Sequence, residues 1–237
     1  SSLFQTLLTQ RPTRKKPDLN RMYYRWFDKI HLISPSNKTL NLKKMKLDPS
    51  RIYDKYSNDL LEEIIEEELH DDNKNNLVII DDSIKEVKKN DDFLHKMVLN
   101  RRHATQNESD DSNKAGLSIW LMSQKYNLLP LSLRSSFSDY ILFPTSNRKE
   151  RDAIKNELLS DLTDKEADKL LNLAWNKKYS FLLIKANEPK SNKYYIKFDK
   201  VVFDNGDMDI DKKSISSEVD LPDDNVENIL LKNKIEN

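Results

Sequence analysis

The chain has 237 residues, with 40 basic and 40 acidic side chains, 37% apolar residues and no cysteine, which is length enough to bury a sizeable core. The lack of cysteine excludes disulfides, zinc ribbons and thiol catalysis and agrees with a reducing compartment. No apolar run approaches the roughly 18 residues that span a bilayer, and Ser1-Ser2-Leu3-Phe4-Gln5 lacks the charged-then-apolar pattern of a signal peptide.

Apolar residues at 3, 4, 7 and 8 share one helical face, so the sequence opens in or at the start of a helix, and the missing initiator Met implies that residues precede Ser1. Residues 11 to 26 carry Arg11, Arg14, Lys15, Lys16, Arg21 and Arg25 among Tyr23, Tyr24 and Trp26, the composition of an exposed connection. Such a segment can follow a DNA backbone, or its aromatics can pack on the domain. Lys29-Ile30-His31-Leu32-Ile33-Ser34-Pro35 is a buried strand closed by proline. Ser57-Asn58-Asp59 offers helix caps, and Leu60, Leu61, Ile64, Ile65 and Leu69 mark one face of the helix that follows, with its Glu residues in water.

Leu77-Val78-Ile79-Ile80-Asp81-Asp82 is the most informative stretch. Four apolar residues running into two carboxylates fit a strand covered on both faces, and ligands of open α/β sheets bind beyond the strands' carboxyl ends. The pair is thus placed for Mg²⁺ and phosphate chemistry; the competing reading is that Asp81-Asp82-Ser83 caps a helix from Ile84. A helix over 91–101 and a polar loop over 104–115 lead to a third strand, Leu117 to Gln124. A short helix near 130–136 precedes a fourth, Asp139 to Pro144. Two helices over 147–176 divide near Asp161-Leu162-Thr163, where Thr163 and Glu166 form a capping-box pattern. Tyr179 to Ala186 and Lys193 to Phe203 alternate like a β-hairpin at the sheet edge.

Strands interleaved with helices predict an α/β fold with a mainly parallel sheet. From Asp204 the chain has ten acids against four Lys, which leaves 36 basic and 30 acidic residues in positions 1–203. That asymmetry fits either a body that meets nucleic acid and an acidic tail, or a solvated surface with a disordered end. A short helix near 225–233 is the tail's single helical signal.

In order, Ser1-Ser2-Leu3-Phe4 opening a helix, Phe27-Asp28-Lys29-Ile30-His31-Leu32-Ile33-Ser34-Pro35, the Asp81-Asp82 strand end, Arg101-Arg102-His103, Ser118 to Gln124, and Leu129-Pro130 with Arg134 resemble one family. It is that of the viral genome-packaging ATPases of poxviruses and other large DNA viruses, within the FtsK/HerA superfamily. The resemblance covers residues 1–203 and implies a RecA-like P-loop NTPase core, a C-terminal β-hairpin and an acidic tail over 204–237. It implies ATP and Mg²⁺ as cofactors, hydrolysis coupled to translocation of double-stranded DNA, a homo-oligomeric ring, capsid or portal partners, and a place in the virion or at the assembly site in host cytoplasm.

The family's phosphate cradle is a Gly-rich turn ending in Lys and Ser/Thr, yet the two glycines, Gly116 and Gly206, are not followed by Lys. The resemblance therefore implies that the cradle lies immediately before Ser1. Ser1 then supplies the Mg²⁺-ligating hydroxyl and Ser2 is the next helical residue, or Ser2 takes that role after a one-residue shift. Asp81 takes the metal. Asp82, where many relatives carry Glu, polarises the attacking water. Gln124 is the polar sensor, against the reading of a solvated strand end, and Arg134 the arginine finger acting on a neighbouring subunit, with Arg101 and Arg102 as alternatives. His103 contacts phosphate or DNA, or is a structural histidine. Two other tasks stay open: a non-hydrolysing DNA-binding or assembly subunit of the same fold, and a plasmid or chromosome DNA pump of the superfamily.

Overall fold

The structure is a computed structural model that describes residues 2–9, 23, 26–40, 42–45, 47–69, 75–89, 91–101, 116–204 and 207–210. Ser1, most of the basic segment over 11–26, Arg102, His103, the loop over 104–115 and the chain beyond 210 lie outside the described residues. The elements in order are α1 (Ser2–Thr9), β1 (Lys29–Ile33), α2 (Leu42–Met45), β2 (Ile52–Tyr53), α3 (Asn58–Glu63), β3 (Asn75–Asp81), α4 (Ile84–Lys89), α5 (Asp91–Asn100), β4 (Gly116–Met122) and α6 (Leu131–Arg134). They continue with β5 (Asp139–Leu142), α7 (Arg148–Leu158), α8 (Asp164–Trp175), β6 (Leu182–Lys185), α9 (Lys190–Lys193), β7 (Tyr194–Ile196), β8 (Asp199–Asp204) and β9 (Asp207–Ile210).

The first half forms a four-stranded, wholly parallel sheet in the order β2-β1-β3-β4. Its central strand is apolar on both sides because both faces are covered. On one face Val78 and Ile80 join Ile33, Leu61, Ile64, Val87, Leu94 and Ile119. On the other Leu77 and Ile79 join Leu32, Met45 and, from α1, Phe4 and Leu8. Leu77, Val78, Ile79 and Ile80 are all fully buried, each worth about 1.5–3 kcal/mol of transfer free energy. Tyr23 and Phe27 pack on Trp120, with ring centroids 5.0 and 5.8 Å away. So these two aromatics, at least, cover the domain, while Trp26 is exposed.

Ser57 caps α3, its hydroxyl accepting from Leu60 N–H at 3.1 Å, and the helix runs on as a π-helical turn over Ile64–Leu69.

The second half differs from the sequence expectation. The strand read at Asp139 to Pro144 does not join the parallel sheet; β5 pairs antiparallel with β6 and opens a second sheet, β5-β6-β7-β8-β9. One of its faces is packed by α7 and α8 through Ile154, Leu158, Leu170, Leu171 and Ala174, while Phe181 and Leu183, of the opposite parity in and beside β6, are buried as well. The expected hairpin is present as β6 with β7 and β8, inside this meander and not at the edge of the first sheet. The acidic stretch starts with a strand: β9 pairs with β8, and its alternating Met208 is buried while Asp209 is exposed. Thr163 and Glu166 make the capping box that starts α8. Phe137 packs against both halves' cores.

Candidate functional site

β3 ends at Asp81, whose residue parity follows Leu77 and Ile79 onto the face that α1 covers. Asp81 is only 8% exposed, and its carboxylate accepts from the Ser34 hydroxyl at 3.2 Å. Burial pushes its pKa above the ordinary aspartate value and the neighbouring Asp82 charge adds to that, while the Ser34 hydrogen bond opposes it. Asp82 then turns outward. Its φ of 54° is left-handed, a region Asp tolerates better than most residues, and it swings the second carboxylate clear of the strand.

That carboxylate is held from both sides. Ser36, just beyond β1, donates to one oxygen at 3.3 Å, and Gln124, just beyond β4, donates its amide to the other at 3.1 Å. Ser34 is itself fixed: its N–H donates to Tyr53 O at 2.9 Å in β2, and its hydroxyl accepts from Ser36 N–H at 3.2 Å. Neighbouring strands of a parallel sheet all end on one side, so β1, β3 and β4 deliver Ser34, Ser36, Asp81, Asp82 and Gln124 to a single edge. The helix-cap alternative is not what these carboxylates do. Both are engaged across strands, and Ser83 closes the first turn of α4, its carbonyl accepting from Val87 N–H at 3.0 Å.

Of the residues predicted for the site, the structure brings together Asp81, Asp82 and Gln124. Ser1 and the Ser2 side chain lie outside the described residues. Arg134 is engaged elsewhere: its guanidinium bonds Glu157 at 3.0 Å, lies 5.0 Å over the Tyr126 ring and is 12% exposed. Arg101 sits at the opposite edge of the sheet, where its carbonyl accepts from Leu117 N–H at the start of β4. Ser34 and Ser36 were missed by sequence reasoning. Their signal was available: hydroxyls flanking a proline at the carboxyl end of a predicted parallel strand fall on the ligand side of the sheet.

The site is also tied to the second half. Two residues after Gln124, Tyr126 N–H donates at 2.6 Å to the buried Glu150 of α7, which also accepts from the Thr145 hydroxyl at 2.7 Å. The Tyr126 hydroxyl donates to Glu157 at 2.8 Å, and burial followed by that carboxylate raises its pKa.

The donor set suits a hydrated hard cation carried with a phosphate ligand. Two adjacent carboxylates, one buried, with hydroxyls and an amide around them give oxygen ligands without a closed cage. Among the described residues no group of three or more His, Cys, Asp or Glu could hold a metal ion.

The class defined by fold and site is a mixed α/β domain: a parallel four-stranded sheet flanked by helices, with paired acids at its carboxyl edge, consistent with a P-loop NTPase core. No family model and no curated protein matches the sequence. Solved structures of the genome packaging NTPase B204 from Sulfolobus turreted icosahedral virus 2 are similar over part of the chain. The AMPPCP complex has 18% identity and a TM-score of 0.46, covering 71% of this chain and 81% of that one. The ATP-gammaS complex has 20% identity and a TM-score of 0.45, covering 73% and 82%. The AMP complex has 20% identity and a TM-score of 0.40, covering 62% of this chain and 64% of that one. At these values the likeness is a partial overlap of backbone.

Proposed function

We propose that this chain is the ATP-hydrolysing subunit of a double-stranded DNA translocase that packages a viral genome, working as a homo-oligomeric ring against a capsid or portal. The observation that carries the catalytic part is the Gln124–Asp82–Ser36 clasp beside the buried Asp81 at the carboxyl edge of the parallel sheet. The biological task rests on the motif resemblance. The reading requires a Gly-rich, Lys-ending loop ahead of Ser1, since neither Gly116 nor Gly206 can open one.

In this account Asp81 and the hydroxyl of Ser1 (or Ser2) hold Mg²⁺ through its inner shell or its waters. The cation supplies neutralisation of β- and γ-phosphate charge when nucleotide is bound. Asp82 accepts a hydrogen bond from the attacking water and orients it. Gln124 and Ser36 fix both Asp82 oxygens, so the base keeps one rotamer, and Gln124 is the group whose partner changes when phosphate leaves.

The test is ATP hydrolysis by a protein that includes the loop before Ser1. Asn shares the tolerance of Asp for left-handed backbone, so Asp82→Asn removes the charge and keeps the turn. The expected result is a fall in DNA-stimulated kcat of about 10² or more. A wild-type rate would remove Asp82 from catalysis, and a native protein lacking that loop would point to a non-hydrolysing subunit instead.

A further inference from the structure

The second concentration of charge and aromatic surface lies away from the carboxylates, at one end of the antiparallel sheet. Leu142, Leu182 and Ile196 stand abreast there in register. Just beyond them Phe143, Phe181 and Phe198 form a row, with centroids 5.8 and 5.3 Å apart. α8 finishes at the same place, where Trp175 Nε1 donates to Leu142 O at 3.1 Å. α7 starts there too, its Arg151 guanidinium 5.5 Å over the Trp175 ring.

Six cations converge on this end. Arg148 and Lys149 open α7, Lys177 and Lys178 follow α8, and Lys197 sits in the β7–β8 turn, all five exposed; Arg151 is half-buried. The opposing acids are few. Asp152 is a loose partner of Arg148 at 3.9 Å, Asp199 begins β8, and Glu150 is buried and turned toward Tyr126 and Thr145.

The backbone adds an independent sign. Two of the three described non-glycine residues with positive φ are here, Tyr179 at 62° and Lys197 at 58°. Large side chains rarely adopt that conformation, and it persists where the surroundings impose it. Lys197 N–H donates to Phe181 O at 2.9 Å and Ser180 N–H to Lys177 O at 3.1 Å, which hold both turns. The strained turn leaves the Tyr179 ring 79% exposed, with Lys178 Nζ 5.0 Å above it. Phe143, which packs on Phe181, is 48% exposed.

We propose that this basic, aromatic end of the antiparallel sheet is a docking surface for the sugar-phosphate backbone of double-stranded DNA. Lys177, Lys178, Arg148 and Lys149 meet phosphates, and Tyr179 packs on the backbone between them. The choice of partner rests on the translocase reading; the surface itself rests on charge complementarity to a polyanion and on the two held turns. Such contacts position without reading sequence, as a translocating chain requires.

The experiment measures binding of a labelled mixed-sequence duplex by the loop-bearing full-length protein, by fluorescence anisotropy between about 50 and 200 mM salt, with DNA-free ATPase recorded on the same preparations. Lys177→Gln with Lys178→Gln should lower the salt slope by about 2, one for each phosphate no longer neutralised. Arg148→Glu with Lys149→Glu should weaken binding about tenfold or more. Tyr179→Gly relieves the backbone, so it should bind more weakly with an undiminished melting temperature. Parental affinity and slope in both double variants would overturn the surface while leaving the ATPase reading intact. So would displacement of the duplex by poly-glutamate at a charge concentration far below that of unlabelled duplex needed for the same displacement, which would assign the face to an acidic protein. A parent that binds DNA with this charge dependence but hydrolyses no ATP would support the surface and remove the hydrolytic reading.

Discussion

Asp81 and Asp82 are neighbours with opposite settings, and the contrast comes from one backbone angle. Strand geometry buries the first; the left-handed turn at the second exposes it to Ser36 and Gln124. Because folding raises the Asp81 pKa, the folded chain holds that proton more tightly than the unfolded chain. The buried charge therefore lowers stability at neutral pH, and the loss disappears as pH falls below the ordinary aspartate value of 3.8. Asp81→Asn should accordingly raise the melting temperature at pH 7, with the gain shrinking toward pH 4, while abolishing Mg²⁺-dependent hydrolysis. A lower melting temperature at pH 7 would show that the carboxylate stabilises the fold. The identity of this doublet was legible because four apolar residues ahead of it fix the strand's end; the turn that separates the two roles was not, since Asp tolerates but does not dictate positive φ.

At the scale of elements, α6 and α7 give Arg134 a partner within its own chain. The Glu157 ion pair is partly exposed and the Tyr126 ring covers one guanidinium face. Arg134→Ala should cost about 1 kcal/mol of chain stability, read from urea unfolding of dilute, unassembled protein. An unchanged unfolding curve with abolished ring ATPase would instead mark a residue acting on a neighbour. Thr163→Ala, which removes the hydroxyl that accepts from Glu166 N–H, should cost about 1 kcal/mol by the same measurement; no loss would mean that α8 is held by packing alone. The capping box was readable because it is local in sequence. The partners of Arg134 were not: Glu157 stands 23 positions away on another helix, and no periodicity connects them.

For the whole molecule, local patterning located the longer strands and helices but not β2, α2, α9 or β9, and not which sheet each strand joins. Asp139 to Leu142 carries the same alternation whether it extends a parallel sheet or starts an antiparallel one, and the choice is made by pairing with Leu182 to Lys185, 40 residues on. The result is two sheets joined through Phe137 and through the Tyr126 hydrogen bonds to Glu150 and Glu157. A change at Gln124 is thus two residues from α7's anchor on Tyr126, and α7 supports the second sheet. The central claim is that the carboxyl edge of the first sheet grips a metal-bound triphosphate. Its most direct test is NMR of the loop-bearing protein with Mn²⁺ and a non-hydrolysable ATP analogue. The account predicts paramagnetic broadening centred on the amides around Ser1, Ser2, Ser34, Ser36, Asp81, Asp82 and Gln124, and metal affinity about tenfold weaker in Asp81→Asn. Broadening elsewhere with those amides sharp, or equal affinity in that variant, would contradict it.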